Sequence, residues 1–324
     1  MKGRMFSVIV LIAVLATLAL PVSAQGGDDP ICNGLSAGDC EIITAALKAM
    51  DGVSSFTTPE WSINFKFDSL QGPVMFESSG TGGGFAVNPD AANPVYGLTV
   101  HLNITEATVS GPDGPQSGSM EIIIYQGMVY VKVDGEWYGG PLDNTMAPPG
   151  SLRGQSEMPD LSILDDLNID LTGVLTTERG PDTELLGQPM AVFTTTVDLP
   201  QLVTTLLTTP LMDALRGALG GTNLDMETPA PEELQFLGAM AAAQLENSSL
   251  TLEQWVGLDD GYVHHVAVDA VLALDLSTLT PEAGMINGEF HFMSDLDAIG
   301  EPLDVQVPES YLPLELLNAS PMDA

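Results

Sequence analysis

The chain is short of base. It has 324 residues with 8 Lys and Arg against 44 Asp and Glu, a formal net charge of −36. Charged residues make up only 16% of it, where about 25% is usual. The charge therefore reflects missing cations, not added anions. A nucleic-acid binder needs a basic patch that releases counterions, and eight scattered bases do not form one. The same shortage excludes polybasic docking on anionic lipid. Cysteine is almost absent, at 2 residues, and histidine numbers 4. Beyond the N-terminus no stretch approaches the length of an uncharged spanning helix. The 44% of hydrophobic residues is ample for a large core, which excludes disorder.

What is present begins with an export signal. Lys2 and Arg4 precede an apolar run from Val8 to Leu20, and Val22-Ser23-Ala24 is a small-residue cleavage site. The alternative is a retained membrane anchor, against which stand the shortness of the run and Pro21 directly after it. Cleavage after Ala24 removes two of the 8 bases and no acid, which leaves Lys48, Lys66, Lys132, Arg153, Arg179 and Arg216. Cys32 and Cys40 follow the signal, and in an exported chain such a pair is expected to form a disulfide. No third or fourth metal ligand lies near them. Asn103, Asn247 and Asn318 each open a glycosylation sequon, which matters only in a eukaryotic secretory pathway.

Catalytic signatures are weak. Gly34 to Gly38 matches G-x-S-x-G, but no strand precedes Ser36, so it is not read as a nucleophile elbow. Gly80 to Gly84 lacks the spacing of a phosphate-binding loop and is read as a turn. His101, His264, His265 and His291 all fall in expected strands, outside any metal-binding motif, and adjacent His264 and His265 would point to opposite faces. No carboxylate pair has calcium-loop spacing. No enzyme activity, metal or cofactor is expected.

Hydrophobic periodicity gives the outline. A first helix is expected over Glu41 to Met50, capped by Asp39 and ended at Asp51-Gly52. Strands follow at Trp61 to Phe67, from Val74 to Phe76 into the glycine turn, and at Tyr96 to Ser110. Met120 to Tyr125 and Met128 to Val133 form a hairpin about Gln126-Gly127, and Asp134-Gly135 turns the chain into Trp137-Tyr138. A long loop or linker is expected over 139–160 and a short helix within Leu161 to Leu175. Glu184 to Val197 reads as a hairpin turning at Gly187-Gln188-Pro189. Leu199 to Leu219 is a helix or helix pair broken near Pro210, and Pro231 to Leu245 a further helix. Strands return at Leu250 to Val256, Tyr262 to Leu276 and Met285 to Ser294, with Val305 to Val307 closing the chain. The fold class is α+β with a large antiparallel sheet.

Four segments carry a resemblance. Ile124 to Tyr138 resembles the Y-V-K-x-D-G-x-W hairpin of LppX/LprG-type lipid-carrier lipoproteins, themselves distantly similar to the LolA/LolB carriers. Leu186 to Phe193 running into Val197-Asp198, Leu252 to Trp255 with Asp259 to Tyr262, and Phe292 to Leu296 with Val305 to Pro308 follow in the same order. The resemblance covers most of residues 41–310. It implies a curved antiparallel half-barrel with helices packed across its concave face around an apolar cavity, hence an exported carrier of a lipid or other hydrophobic molecule. Cys32, preceded by Asp29-Pro30-Ile31, lacks the lipobox context of those lipoproteins.

Residues 25–40 then form a disulfide-bearing N-terminal segment, 41–310 one domain and 311–324 a tail. The apolar helix faces supply the expected ligand contacts: Leu202, Leu206, Leu211, Leu215, Phe236, Met240 and Ala243. With so few bases to clamp a phosphate, the expected ligand is neutral. The alternative on the same fold is a cell-envelope structural or interaction protein whose cavity is filled by side chains. An envelope protein is then the expected partner.

Overall fold

A computed structural model describes residues 29–69, 72–91, 94–110, 114–142, 171, 173–208, 238–240, 242–275 and 285–318. Its strands are β1 (Ser55–Thr57), β2 (Glu60–Ser69), β3 (Gly72–Val87), β4 (Leu98–Ser110), β5 (Gln116–Tyr125), β6 (Met128–Val133), β7 (Glu136–Pro141), β8 (Leu175–Arg179), β9 (Thr183–Leu185), β10 (Gln188–Val197), β11 (Ser249–Gly257), β12 (Val263–Asp275), β13 (Met285–Asp295) and β14 (Leu312–Pro313). The named helices are α1 (Ala37–Met50), α2 (Pro94–Gly97), α3 (Leu199–Thr208) and α4 (Glu315–Asn318). Residues 238–240 and 242–244 are also helical.

All fourteen strands join one open sheet, in the order β14-β7-β6-β5-β4-β3-β2-β13-β12-β11-β10-β8, with β1 on β3 and β9 on β10. The pairings are antiparallel except β14 on β7. The expected α+β class is corrected: among the described residues the fold is mostly β, with few short helices. Two meanders, β2 to β7 and β10 to β13, are joined where β13 pairs β2, from Gly288 opposite Phe67 to Ser294 opposite Trp61.

Glycines are used differently from the expectation. Gly80 to Gly84 is not a turn; β3 runs straight through it. The register against β4 shifts between Gly80 and Gly83, which makes the run a bulge. Gly82 and Gly83 have φ of +73° and +148°, which side-chain-bearing residues rarely adopt. A Cβ on Gly80 would overlap the Trp61 indole and the Asn103 carbonyl. The expected turns at Gln126-Gly127 and Asp134-Gly135 hold, with positive φ at all four residues as primed hairpin turns require. The β9–β10 turn is Leu186-Gly187, one residue earlier than expected, because those two carry the positive φ of 52° and 81°. The strand expected from Tyr96 starts at Leu98, after the single turn of α2.

At the N-terminus the helix starts earlier than expected. Ser36, not Asp39, caps α1: its hydroxyl accepts from Asp39 N at 3.3 Å and donates to the Asp39 carboxylate at 2.7 Å. The serine of the G-x-S-x-G match is thus a helix cap. Ile43 and Ala46 of α1 bury against Ala191, Phe193, Val256 and Val263. The Cys32–Cys40 disulfide forms as expected. It holds a segment against β8, the sheet edge, where Thr177 N donates to Asn33 O at 2.8 Å and Asn33 Nδ2 donates to Leu175 O at 2.7 Å. This covers backbone groups that an open edge would offer to another chain.

The C-terminal end is also corrected. Val305 to Val307 pairs with no strand. Residues 301–311 instead cross the sheet as a strap. Leu303 lies against Gly84 of β3, and Tyr311 lies on Gly139 of β7. Tyr311 meets Tyr130 edge-on at 5.2 Å. The chain then turns the sheet edge through β14, and Leu314 and Leu317 pack into the apolar core beside Leu142. Part of the expected tail therefore belongs to the packed structure. The 139–160 and Leu161 to Leu175 expectations fall largely outside the described residues, except that β7 extends to Pro141 and Leu175 opens β8. Leu199 to Leu219 is described only through α3, and Pro231 to Leu245 only over 238–240 and 242–245.

Three tests follow from this geometry. The disulfide closes a loop of 8 residues, worth about 2.5 kcal/mol by chain entropy; reduction should lower the unfolding midpoint and promote self-association through β8. Identical melting and light scattering with and without reductant would refute this. A Cβ at Gly139 would stand 2.7 Å from the Tyr311 ring and 2.9 Å from that of Tyr130, so Gly139→Val should cost about 1–3 kcal/mol in a denaturant titration. Burial, and next the nearby Tyr311, push the Tyr130 phenol above its ordinary value of 10.0. Its contribution to stability is then present below pH 10 and lost as pH rises through the folded value. Tyr130→Phe should flatten the alkaline limb of the stability curve above pH 10.

Candidate functional site

Residues paired across a strand ladder share a face, so the register assigns the whole sheet. One face is apolar nearly from edge to edge. Along β10, β11 and β12 it carries Ala191, Phe193, Val256, Leu252, Val266 and Val268. Along β13 and β2 it carries Phe290, Phe292, Ile63, Phe65 and Phe67. Along β4, β5 and β6 it carries Val100, Leu102, Ile122, Ile124, Val129 and Val131. The bulges preserve this. On β3 the apolar-face residues are even-numbered before the glycine run, as at Phe76, and odd-numbered after it, as at Phe85. On β4 they switch between Ile104 and Ala107, where the register shifts again.

This face is not evenly covered among the described residues. One cluster lies under β2 to β7, with Trp61, Ile104, Ala107, Ile122, Val129, Val131 and Leu142 buried. The second lies under α1, around Phe193 and Val256. Between them a strip of half-buried apolar side chains crosses β11, β12, β13 and β2: Leu252, Val268, Leu272, Phe290, Phe292 and Phe65. Phe65 and Phe67 stack at 6.2 Å along this strip.

The opposite face holds the charges. His291 meets Asp269 at 2.6 Å and His265 meets Asp295 at 2.6 Å, both directly across β12 and β13. His101 meets Glu121 at 3.0 Å. His264, in contrast, is fixed between Asp260 at 2.8 Å and the Leu296 carbonyl at 3.0 Å. All four histidines thus have hydrogen-bond partners, and all four lie in strands as expected. Trp255 stacks on His265 at 4.3 Å and donates to Glu253 at 2.8 Å. Among the described residues no group of three or more His, Cys, Asp or Glu side chains is arranged to hold a metal.

The bases are engaged with acids. Lys66 meets Glu289 at 3.3 Å, and Lys132 meets Glu121 at 3.4 Å while lying 5.4 Å from the Trp137 ring. Both project from the charged face. Arg179, opposite Phe193 and 5.1 Å from its ring, sits beside Asp39 of α1 at 3.4 Å and also bonds Asp182. Lys48 is exposed in the last turn of α1.

The expected ligand residues are only partly placed. Leu202 is half-buried in α3, which also contains Leu206. Met240 is half-buried and Ala243 exposed in the short helical stretches before β11. Leu211, Leu215 and Phe236 lie outside the described residues. What the sequence reading did not pick as a site is the sheet strip. Its signal was present: Trp61, Ile63, Phe65 and Phe67 alternate on one side of β2.

No protein-family model matches the chain, and no curated protein matches it. Solved structures do. The lipoprotein LppX of Mycobacterium tuberculosis is similar at 13% identity, over 84% of this chain and 100% of that one, with a TM-score of 0.30. LprF of Mycobacterium bovis is similar at 13% identity, over 84% of this chain and 98% of that one, with a TM-score of 0.33. MucB is similar at 14% identity, over 85% of this chain and 64% of that one, with a TM-score of 0.23. LppX is one of the proteins that the sequence segments resemble.

If the strip is less tightly packed than the clusters, truncation there is mild. Phe193 is 0% exposed, so Phe193→Ala should cost about 3–5 kcal/mol. Phe65→Ala, on the half-buried strip, should cost less than half of that by the same measure. Equal losses in urea titrations would make the strip an ordinary core.

Proposed function

We propose that the chain is an exported carrier that holds a hydrophobic, uncharged, lipid-like ligand in an apolar cavity between the sheet and its helices. On this reading the sheet curves as an open half-barrel and α3, with residues 238–240 and 242–244, lies across the concave side. The observation that supports it most is the apolar strip between the two clusters. A mostly β protein that segregates charge onto one sheet face leaves a broad apolar face to be covered, and the described helices cover its α1 end. The export signal and the Cys32–Cys40 disulfide favour an extracytoplasmic location.

The electrostatics favour a neutral head group. Lys66 and Lys132 point away from the apolar face, and Arg179 is held between two carboxylates. A lipid phosphate would find no described cation free to pair with it on that face. Catalysis is not part of this proposal.

Native mass spectrometry of protein from its host, followed by solvent extraction, tests the carrier. A bound lipid that dissociates on unfolding is expected. Recovery of no lipid, together with no displaceable apolar dye, would reduce the fold to an interaction scaffold. Diacylglycerol should bind in preference to phosphatidic acid of the same chains, and the reverse preference would refute the neutral-ligand reading.

A further inference from the structure

The apolar face carries a small polar island. Ser78 of β3 lies opposite Ile63 of β2 and Ala107 of β4, and Trp61 is its diagonal neighbour on β2. Trp61 is 9% exposed and Ser78 6%. The indole Nε1 and the serine hydroxyl are both buried with no hydrogen-bond partner among the described residues. Other buried hydroxyls on this side of the sheet are satisfied in pairs: Thr177 with Thr195 at 3.0 Å, and Thr58 with Ser294 at 2.9 Å. Leaving a donor unpaired in an apolar layer destabilises the ligand-free protein, and an alanine or phenylalanine would avoid that cost. Gly80 adds a second sign of accommodation, since any Cβ there would overlap the indole.

We infer that Trp61 Nε1 and Ser78 Oγ form a hydrogen-bonding subsite for one uncharged acceptor oxygen of the bound lipid, an ester carbonyl or an alcohol. This rests on the carrier reading and adds the chemistry of the ligand's polar group. Indole N–H is a donor only, and the serine hydroxyl turns its proton to whatever accepts it, so both groups are satisfied by an acceptor. Neither group carries charge, so the subsite suits a neutral oxygen and not a phosphate, for which charge-assisted bonds from Arg or Lys are the strong option. The subsite adjoins the half-buried strip: Ile63 and then Phe65 continue the same face of β2 from Trp61. An ester placed at Trp61 could therefore run its chain over Phe65 and Phe290.

The test compares two probes, dioleoylglycerol and squalene, which lacks oxygen. Binding is measured by displacement of an apolar dye from the full-length secreted protein, and stability by thermal unfolding without ligand. The wild type is expected to prefer the diacylglycerol by about fivefold to tenfold, in keeping with one or two hydrogen bonds made in place of unsatisfied donors. Ser78→Ala and Trp61→Phe should each remove most of that preference and leave squalene affinity within about twofold, with an unfolding midpoint equal to or above that of the wild type. The opposite movement of stability and ester affinity separates a ligand subsite from a packing role. Equal wild-type affinity for both probes overturns the subsite and leaves the carrier standing. So does retention of the ester preference by both variants, or a drop in their unfolding midpoint with loss of both probes. Binding of neither probe by the wild type overturns the carrier, and the subsite with it.

Discussion

The division of the sheet into one mainly apolar and one charge-bearing face is the constraint on which the rest depends. Side chains alternate along every strand, so a one-residue slip anywhere would exchange the faces from that point on. The ladder from β8 to β7 holds its division through register shifts at Gly80–Gly83 of β3, at Ile104–Ala107 of β4 and on β12 opposite Trp255–Val256. Each adds a residue where the apolar residues change between even and odd numbering. The bulges are thus corrections of phase. The glycines of β3 allow the backbone to take φ values above zero and let the Trp61 ring lie against the strand.

With the faces separated, the scarce bases acquire a definite place. Lys66, Lys132 and three of the histidines stand on the charged face, in cross-strand or diagonal contact with Asp or Glu. Exposed pairs of this kind contribute little to stability, about 0–1 kcal/mol each. Their effect is to neutralise the face locally: each described cation on it has its carboxylate. Among the described residues the apolar face is almost free of charge, and its polar features include hydroxyls, an indole N–H, the buried Gln254 and the half-buried edge group Arg179.

The two ends of the chain protect the two ends of the sheet by different means. At β8 the disulfide-held segment pairs with the edge through Asn33. At β7 the C-terminal strap crosses the charged face, using Gly84 and Gly139 as low points, and returns to the core through Leu314 and Leu317. Wide open sheets expose edges that invite further pairing, and covering them with irregular backbone is one way to prevent it.

The alternation of Trp61, Ile63, Phe65 and Phe67, the primed turns at Gln126-Gly127 and Asp134-Gly135, and the strand placement of the histidines were all legible in the sequence. Each depends on residues within a few positions of one another, where strand period and turn chemistry operate. The disulfide was legible because export and an isolated cysteine pair leave few alternatives. The glycine run, the helix cap and the C-terminal strap were misread. A glycine run reads alike as turn or bulge until a neighbouring strand sets its register. Ser36 could be told from Asp39 as the cap only by where the backbone enters the helix. Val305 to Val307 alternates no differently from a strand, and only Gly84 and Gly139, more than 160 residues away in sequence, show that it crosses the sheet. By itself the sequence determined which residues face together along each strand and how few cations the molecule has. Tertiary structure alone decided which strands became neighbours, which glycines make room for a distant segment, and that Trp61 and Ser78 share one apolar face without partners among the described residues, because those outcomes rest on contacts between residues far apart in the chain.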